Sequence, residues 1–241
     1  MTLPSDVEQA IEKAYHEMLK DVHHNLHLKQ RLYIYKAITV TAGFKAKKIR
    51  GWLALLTAKL VLPIWEKEKP DDKLPRTLLQ VAENFLLNNI SLEEIDKDYN
   101  LKSIVAGGLY VNWDISTEAD YSLDAIVTAL AEILGIVLNS EQTQRQIEWE
   151  IEQGFPDEMM IRLYVDTALV TVCAYSGISF DWDALNIKQL NAISDSEEII
   201  AYVKTSFNPN FNPTKRLEFW EWWLTKAIPQ AWELAQQSTS S

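Results

Sequence analysis

The chain has 241 residues, a formal net charge of −11 and one cysteine, with 47% hydrophobic and 24% charged residues. That length suffices for a sizeable core, a lone cysteine excludes an internal disulfide framework, and the acidic balance argues against general nucleic-acid binding. The start lacks a signal-peptide pattern and no run approaches 18 apolar residues, so a cytoplasmic protein with no membrane partner is expected.

Glycine (7) and proline (8) are scarce, and apolar residues recur with a helical rather than an alternating period. The expectation is all-α: one domain over residues 1–235, about nine helices around a tryptophan-rich C-terminal helix, and a disordered tail at 236–241. A first helix opens on the capping box Ser5-x-x-Glu8 and runs to His27, with Val7, Ile11, Ala14, Met18 and Val22 inward. On such a helix His16, His23 and His27 share the outer face, and the i, i+4 spacing of His23 and His27 is that of two metal ligands. An outward polar surface explains the same pattern more simply, so no metal or other cofactor is expected.

A second helix over Leu28–Ala42 stops at Gly43. The third begins with Lys45, Lys47, Lys48 and Arg50, at the end where a helix disfavours cations, so an anionic group should lie near them. It continues to Glu66, with a kink expected at Pro63. Pro70-Asp71-Asp72 reads as a turn, with Asp72 or a neighbour capping a helix from Pro75 to Asn88. Further helices are expected from Ser91-x-x-Glu94, over Leu101–Trp113, over Tyr121–Leu138 and over Glu141–Gln153. Another, over Asp157–Tyr175, buries Cys173 and carries an Arg162–Asp166 pair at i, i+4. After an irregular stretch and a short helix from Ser194 to Thr205, Asn212 caps the last helix, with Pro213 in its first turn. There Leu217, Trp220, Trp223, Leu224, Ala227, Ile228, Ala231, Leu234 and Ala235 form one apolar stripe. Arg216 falls on the stripe and calls for an internal ion pair. Trp222 projects opposite it, as a covered residue or an exposed anchor, and Pro229 should kink the helix.

Charge is segregated. From Val22 to Trp65 there are eight basic residues and no acidic one; from Glu93 to Glu158 there are fifteen acidic residues and three basic ones, so the local balances are +8 and −12. Either the two blocks lie against each other as solvated faces with scattered ion pairs, or the acidic block docks a basic partner. On the second reading Glu148, Trp149, Glu150, Glu152, Asp157 and Glu158 are the candidate partner-binding residues, an aromatic ringed by acids.

The run Leu53-Ala-Leu-Leu-Thr-Ala-Lys-Leu-Val-Leu-Pro-Ile-Trp-Glu66, the turn Pro70-Asp-Asp-x-x-Pro-Arg76 and the segment Arg216-x-x-Phe-Trp-Glu-Trp-Trp-Leu-x-x-Ala-Ile-Pro-x-Ala-Trp232 resemble the immunity protein five family of bacterial polymorphic toxin systems. The matching positions are Pro63, Trp65, Asp71, Asp72, Pro75, Arg76, Arg216, Trp220, Trp222 and Trp223. The resemblance implies an all-α protein that neutralises a cognate toxin by binding it, with structural rather than catalytic motifs. No nucleotide-binding, nucleophile-elbow or metalloprotease pattern occurs, so no enzyme is expected. The expected mechanism is stoichiometric occlusion of a basic toxin, a nuclease among the candidates. The alternatives are a helical scaffold with another partner and, behind it, a metal enzyme built on His16, His23 and His27.

Overall fold

The computed structural model describes residues 2–99, 117–135, 166–177 and 212–237, and among them every regular element is helical. In chain order these are α1 (Ser5–Met18), α2 (Leu28–Ala42), a 3-10 turn (Gly43–Lys45), α3 (Ala46–Glu68), α4 (Leu74–Leu86), α5 (Leu92–Tyr99), α6 (Glu118–Leu134) and α7 (Thr167–Ser176). The C-terminal helix, α8, runs as Pro213–Trp222, a π-helical turn at Trp223–Ala227, and Ile228–Gln237. None of the described helices is long and apolar enough to cross a membrane. The expected total of about nine helices drew on 101–113, 141–153 and 194–205, which lie outside the described residues.

Two elements divide the core between them. Helix α3 is apolar on nearly every side: Gly51, Trp52, Leu53, Ala54 and Leu55 are all buried at consecutive positions, the mark of a helix enclosed by others. It packs against α2, α4, α6, α7 and α8. At Gly51 a Cβ would meet Leu86 Cδ2 at 2.9 Å and Ile133 at 3.7 Å. The missing side chain therefore sets how closely α4 and α6 approach. Helix α8 supplies bulk, since Trp220 and Trp223 are the largest fully buried side chains described. The expected organising role of α8 is thus shared with α3. All of these helices contribute to one apolar cluster.

The stripe read along α8 is buried as expected, with Leu217 and Leu234 only partly so, and Asn212 caps it by accepting from Lys215 N at 3.1 Å. In place of a bare kink, the π turn at Trp223–Ala227 directly precedes Pro229. A proline lacks the N–H for the i−4 carbonyl and crowds it, and a wider turn accommodates both defects. Gln236 and Gln237, assigned by sequence to a tail, remain helical: Gln236 Oε1 accepts from Lys45 Nζ, and Gln237 bonds Glu233 one turn back. Residues 238–241 lie outside the described set.

Several boundaries differ for local reasons. Helix α1 starts after Pro4, whose carbonyl takes the first amides, so the Ser5-x-x-Glu8 box is not used. It ends at Met18, because Asp21 Oδ1 accepts the amides of His23 and Asn25 at 2.9 and 3.0 Å and His24 adopts φ 54°. An aspartate that satisfies following backbone amides competes with the helix ladder. Val22, expected in the core, is consequently 80% exposed. Helix α6 starts earlier than expected on a Thr117/Asp120 capping box and stops at Gly135, which takes the left-handed conformation (φ 68°). Helix α4 begins at Leu74, where Asp72 Oδ1 accepts the Leu74 amide at 2.9 Å, and the Ser91/Glu94 box opens α5 as expected.

The largest correction concerns α7. It begins at Thr167, and Asp166 is its N-cap in an extended conformation, accepting from Ala168 N at 2.9 Å. Arg162, the other half of the expected i, i+4 pair, lies outside the described residues. Asp166 pairs with Arg31 of α2. Cys173 is buried on α7 as expected.

Candidate partner-binding surfaces

A site can be sought where polar groups converge inside the fold, or where the surface departs from ordinary solvation. Inside, six residues meet at the N-terminus of α7. Arg31 Nε donates to Asp166 Oδ2 at 2.6 Å with both side chains enclosed, and Arg31 Nη1 donates to the Leu26 carbonyl. The Tyr35 hydroxyl reaches Asp166 Oδ1 at 3.4 Å, and the Arg50 guanidinium lies 4.9 Å from the centre of the Tyr35 ring. Glu132 Oε1 accepts both the amide and the hydroxyl of Thr167 at 2.9 Å. The helix N-terminus accounts for two carboxylates in one place, because its free amides and partial positive charge stabilise anions.

The two carboxylates are not equivalent. Burial, and then the Asp166 charge, push the Glu132 carboxyl up to about 7, against the bonds from Thr167 and the Arg50 charge. Glu132 is partly exposed as a residue, but desolvation of its carboxyl, held against Thr167 at the start of α7, is what decides its titration. The Arg31 guanidinium also lies 5.7 Å from the Trp220 ring, and Trp223 meets the Tyr35 ring edge-on at 6.0 Å. Sequence reading missed this centre: Arg31, Glu132 and Asp166 come from three helices far apart in the chain. The one available signal was Arg31, a charge on the buried side of α2.

The resemblance residues occupy structural positions. Trp65 is buried in α3, and Trp220 and Trp223 pack edge-to-face at 5.8 Å, with Phe219 against Trp220 at 4.8 Å. Trp222 is half-buried, 6.0 Å from Phe219, which places it between the two expected roles. Arg76 holds Glu66 by two bonds of 2.7 Å, clamping α4 to the end of α3, while Asp71 lies in the intervening turn. Arg216 is buried as expected, and one of its bonds goes to the Asn25 side-chain oxygen, which accepts it. That asparagine belongs to the Asp21 turn. Burial opposes ionisation of Asp21, yet bonds from His27, Asn25 and His23 hold its carboxyl down at about 2.

The histidine reading rested on one continuous helix, which ends at Met18. His16 is in α1, whereas His23 and His27 belong to the Asp21 turn, where His27 Nε2 contacts Asp21 Oδ2 at 3.2 Å. The i, i+4 geometry is absent, and no three His, Cys, Asp or Glu side chains among the described residues are placed to share a metal ion. Glu148, Trp149, Glu150, Glu152, Asp157 and Glu158 lie outside the described residues.

The basic block at the start of α3 is answered by several groups. Lys45 bonds Gln236; the Lys47 amine lies by Gly135, at the carbonyl end of α6 where a cation is favoured; Arg50 feels the charge of Glu132; and Lys59 Nζ pairs with Glu83 at 2.8 Å. Among the described residues, Glu132 is one member of the 93–158 acidic block that meets this cluster. Beside it opens a groove of about 660 Å³, lined by Phe44, Lys47, Lys48, Phe85, Ile90 and Glu94 among others.

Among the described residues these observations define an all-helical fold in which Arg31, Asp166 and Glu132 converge at the start of α7. The chain belongs to the Imm5 family, described as immunity protein Imm5, whose model matches residues 11–192. That match takes in the first of the two places that carry the sequence resemblance, runs through the middle of the chain, and ends before the second, which lies in α8. No curated protein matches the chain.

Proposed function

We propose that this protein neutralises a cognate toxin by binding it stoichiometrically and occluding its active surface, without catalysis, as a single cytoplasmic domain over residues 1–235. Family membership across residues 11–192 is the observation that carries this reading. The buried charges support it, because Arg31, Asp166 and Glu132 are spent on positioning helices. On this reading the acidic stretch bearing Glu148, Trp149, Glu150, Glu152, Asp157 and Glu158 meets a basic face of the toxin. A nuclease supplies such a face, because its substrate is a polyanion.

The test is a pull-down with tagged protein from lysate of its own cell, washed at low and then high salt. One basic protein that elutes with salt, is toxic when expressed alone and is harmless when co-expressed with this chain supports the proposal. Recovery of a partner that is not toxic moves the reading to a helical scaffold. Replacing Glu148, Glu150 and Glu152 together by glutamine should slow association about tenfold at low salt and flatten its salt dependence. An unchanged rate removes that surface.

A further inference from the structure

The outward face of α2 is built unlike an ordinary solvated helix face. At about 100° per residue, Lys29, Tyr33, Lys36 and Val40 fall within about 60° of one another, opposite the buried Ile34 and Ile38. Tyr33 is 50% exposed, Val40 73% and Phe44, in the turn that follows, 88%. Single exposed apolar residues are commonplace; two on one helix face with a third in the turn that follows are not. No acidic residue occurs from Val22 to Trp65, so the face carries lysines without the carboxylates that normally intersperse a soluble surface. Among the described residues neither Lys29 nor Lys36 pairs with a carboxylate, and Lys13 of α1 extends the positive edge by lying over the Tyr33 ring at 5.2 Å.

The face continues into the groove beside α3. Phe44 forms its lip, Phe85, Leu86, Ile90 and Ile133 supply an apolar lining, and Lys47 and Lys48 stand among them. The acidic residue there, Glu94, is turned back onto the amide and hydroxyl of Ser91 at 2.8 and 2.7 Å. An apolar line edged by cations and leading to an apolar recess is complementary to a protein surface with the inverse layout, in which carboxylates flank an aromatic or aliphatic anchor. It suits a nucleic acid poorly, since Val40 and Phe44 occupy the centre where phosphates would lie and the chain as a whole carries −11.

We propose that the outer face of α2, together with the groove lined by Phe44, Phe85 and Ile90, docks an acidic, apolar-centred surface of the partner protein. This rests on the immunity reading: the partner is the toxin. The toxin then presents an acidic patch to α2 in addition to the basic patch that meets residues 148–158.

The probe is the toxin retained by the wild-type chain, purified and titrated at 50 and 300 mM salt against three variants. In the first, Val40→Ser with Phe44→Ser, dissociation should accelerate and affinity weaken at least about 30-fold at both salt concentrations. In the second, Lys29→Glu with Lys36→Glu, association should slow about tenfold at low salt and recover at high salt. The third, Glu148→Gln, Glu150→Gln and Glu152→Gln, tests the acidic surface separately. All substituted α2 positions are exposed, so thermal melting at the wild-type temperature establishes that the first two variants are folded.

Wild-type affinity in both α2-face variants overturns the docking surface while leaving neutralisation intact. A wild-type chain that binds no toxin overturns the immunity reading and this inference with it. Binding of a short duplex DNA that the lysine reversals abolish, with toxin affinity unchanged, assigns the face to a polyanion and likewise overturns the proposal.

Discussion

Inward, α2 carries Arg31 and Tyr35, which converge on Asp166 at the cap of α7, while Arg31 also bonds the Leu26 carbonyl. Outward, on the same helix, it carries Lys29, Tyr33, Lys36 and Val40, exposed and ringed by no acid of their own segment. Both faces place cations beside aromatic rings, yet they do so under opposite constraints. In the core a charge must find a fixed partner, because an enclosed ion left alone costs several kcal/mol. On the surface water supplies the partner, so the same residue types carry little stability and remain available to another molecule. Composition does not separate these cases; burial does.

The sharpest way to break that contrast is to remove the inner cation. Arg31→Ala should cost about 3–5 kcal/mol in urea unfolding, since it leaves the Asp166 carboxylate enclosed without its partner. A loss below about 1 kcal/mol would mean that the pair contributes no more than a surface bridge. The Glu132 carboxyl gives the next effect. Its folded value lies near 7 against an ordinary 4.5, so between those values the folded chain holds a proton that the unfolded chain has released. Stability therefore falls as pH rises through the window, by on the order of 2 kcal/mol. Glu132→Gln should abolish this decline in melts at pH 5, 6 and 7, while an undiminished decline would place its origin elsewhere.

Exposed pairs should matter less. Arg76→Ala removes a bridge whose arginine side chain is 62% exposed, and chemical denaturation should show a loss well below that of Arg31→Ala despite its two good bonds. Smallest of all, Lys29→Ala with Lys36→Ala should shift stability within about 0.5 kcal/mol per site. A larger loss would show that the outer face serves the fold, removing the distinction between the two sides of α2.

The reach of sequence reading follows the same division. Helix α2 is found at its expected boundaries, since Gly43 is a local stop. The Asn212 cap of α8, its apolar stripe and the Ser91/Glu94 box are likewise local chemistry expressed in place. The boundaries of α1 and α7 were misread because an aspartate reads alike inside a helix and at its edge. Asp21 and Asp166 each turn a side-chain oxygen onto backbone amides, and at Asp166 the deciding partner, Arg31, lies 135 positions away. The histidine pattern failed for the same reason: its spacing had meaning only on a helix that the Asp21 turn ends.

By itself, then, the sequence determined what depends on neighbours within one or two turns: the helical class, the stop at Gly43 and the caps at Ser91 and Asn212, the buried stripe of α8 and the segregation of charge into two blocks. The tertiary structure decided which charges are enclosed, that α3 shares the centre with α8, and that Tyr33, Val40 and Phe44 remain uncovered. Those outcomes depend on which helices meet, and contact between distant segments is a property of the packed chain that local periodicity does not encode.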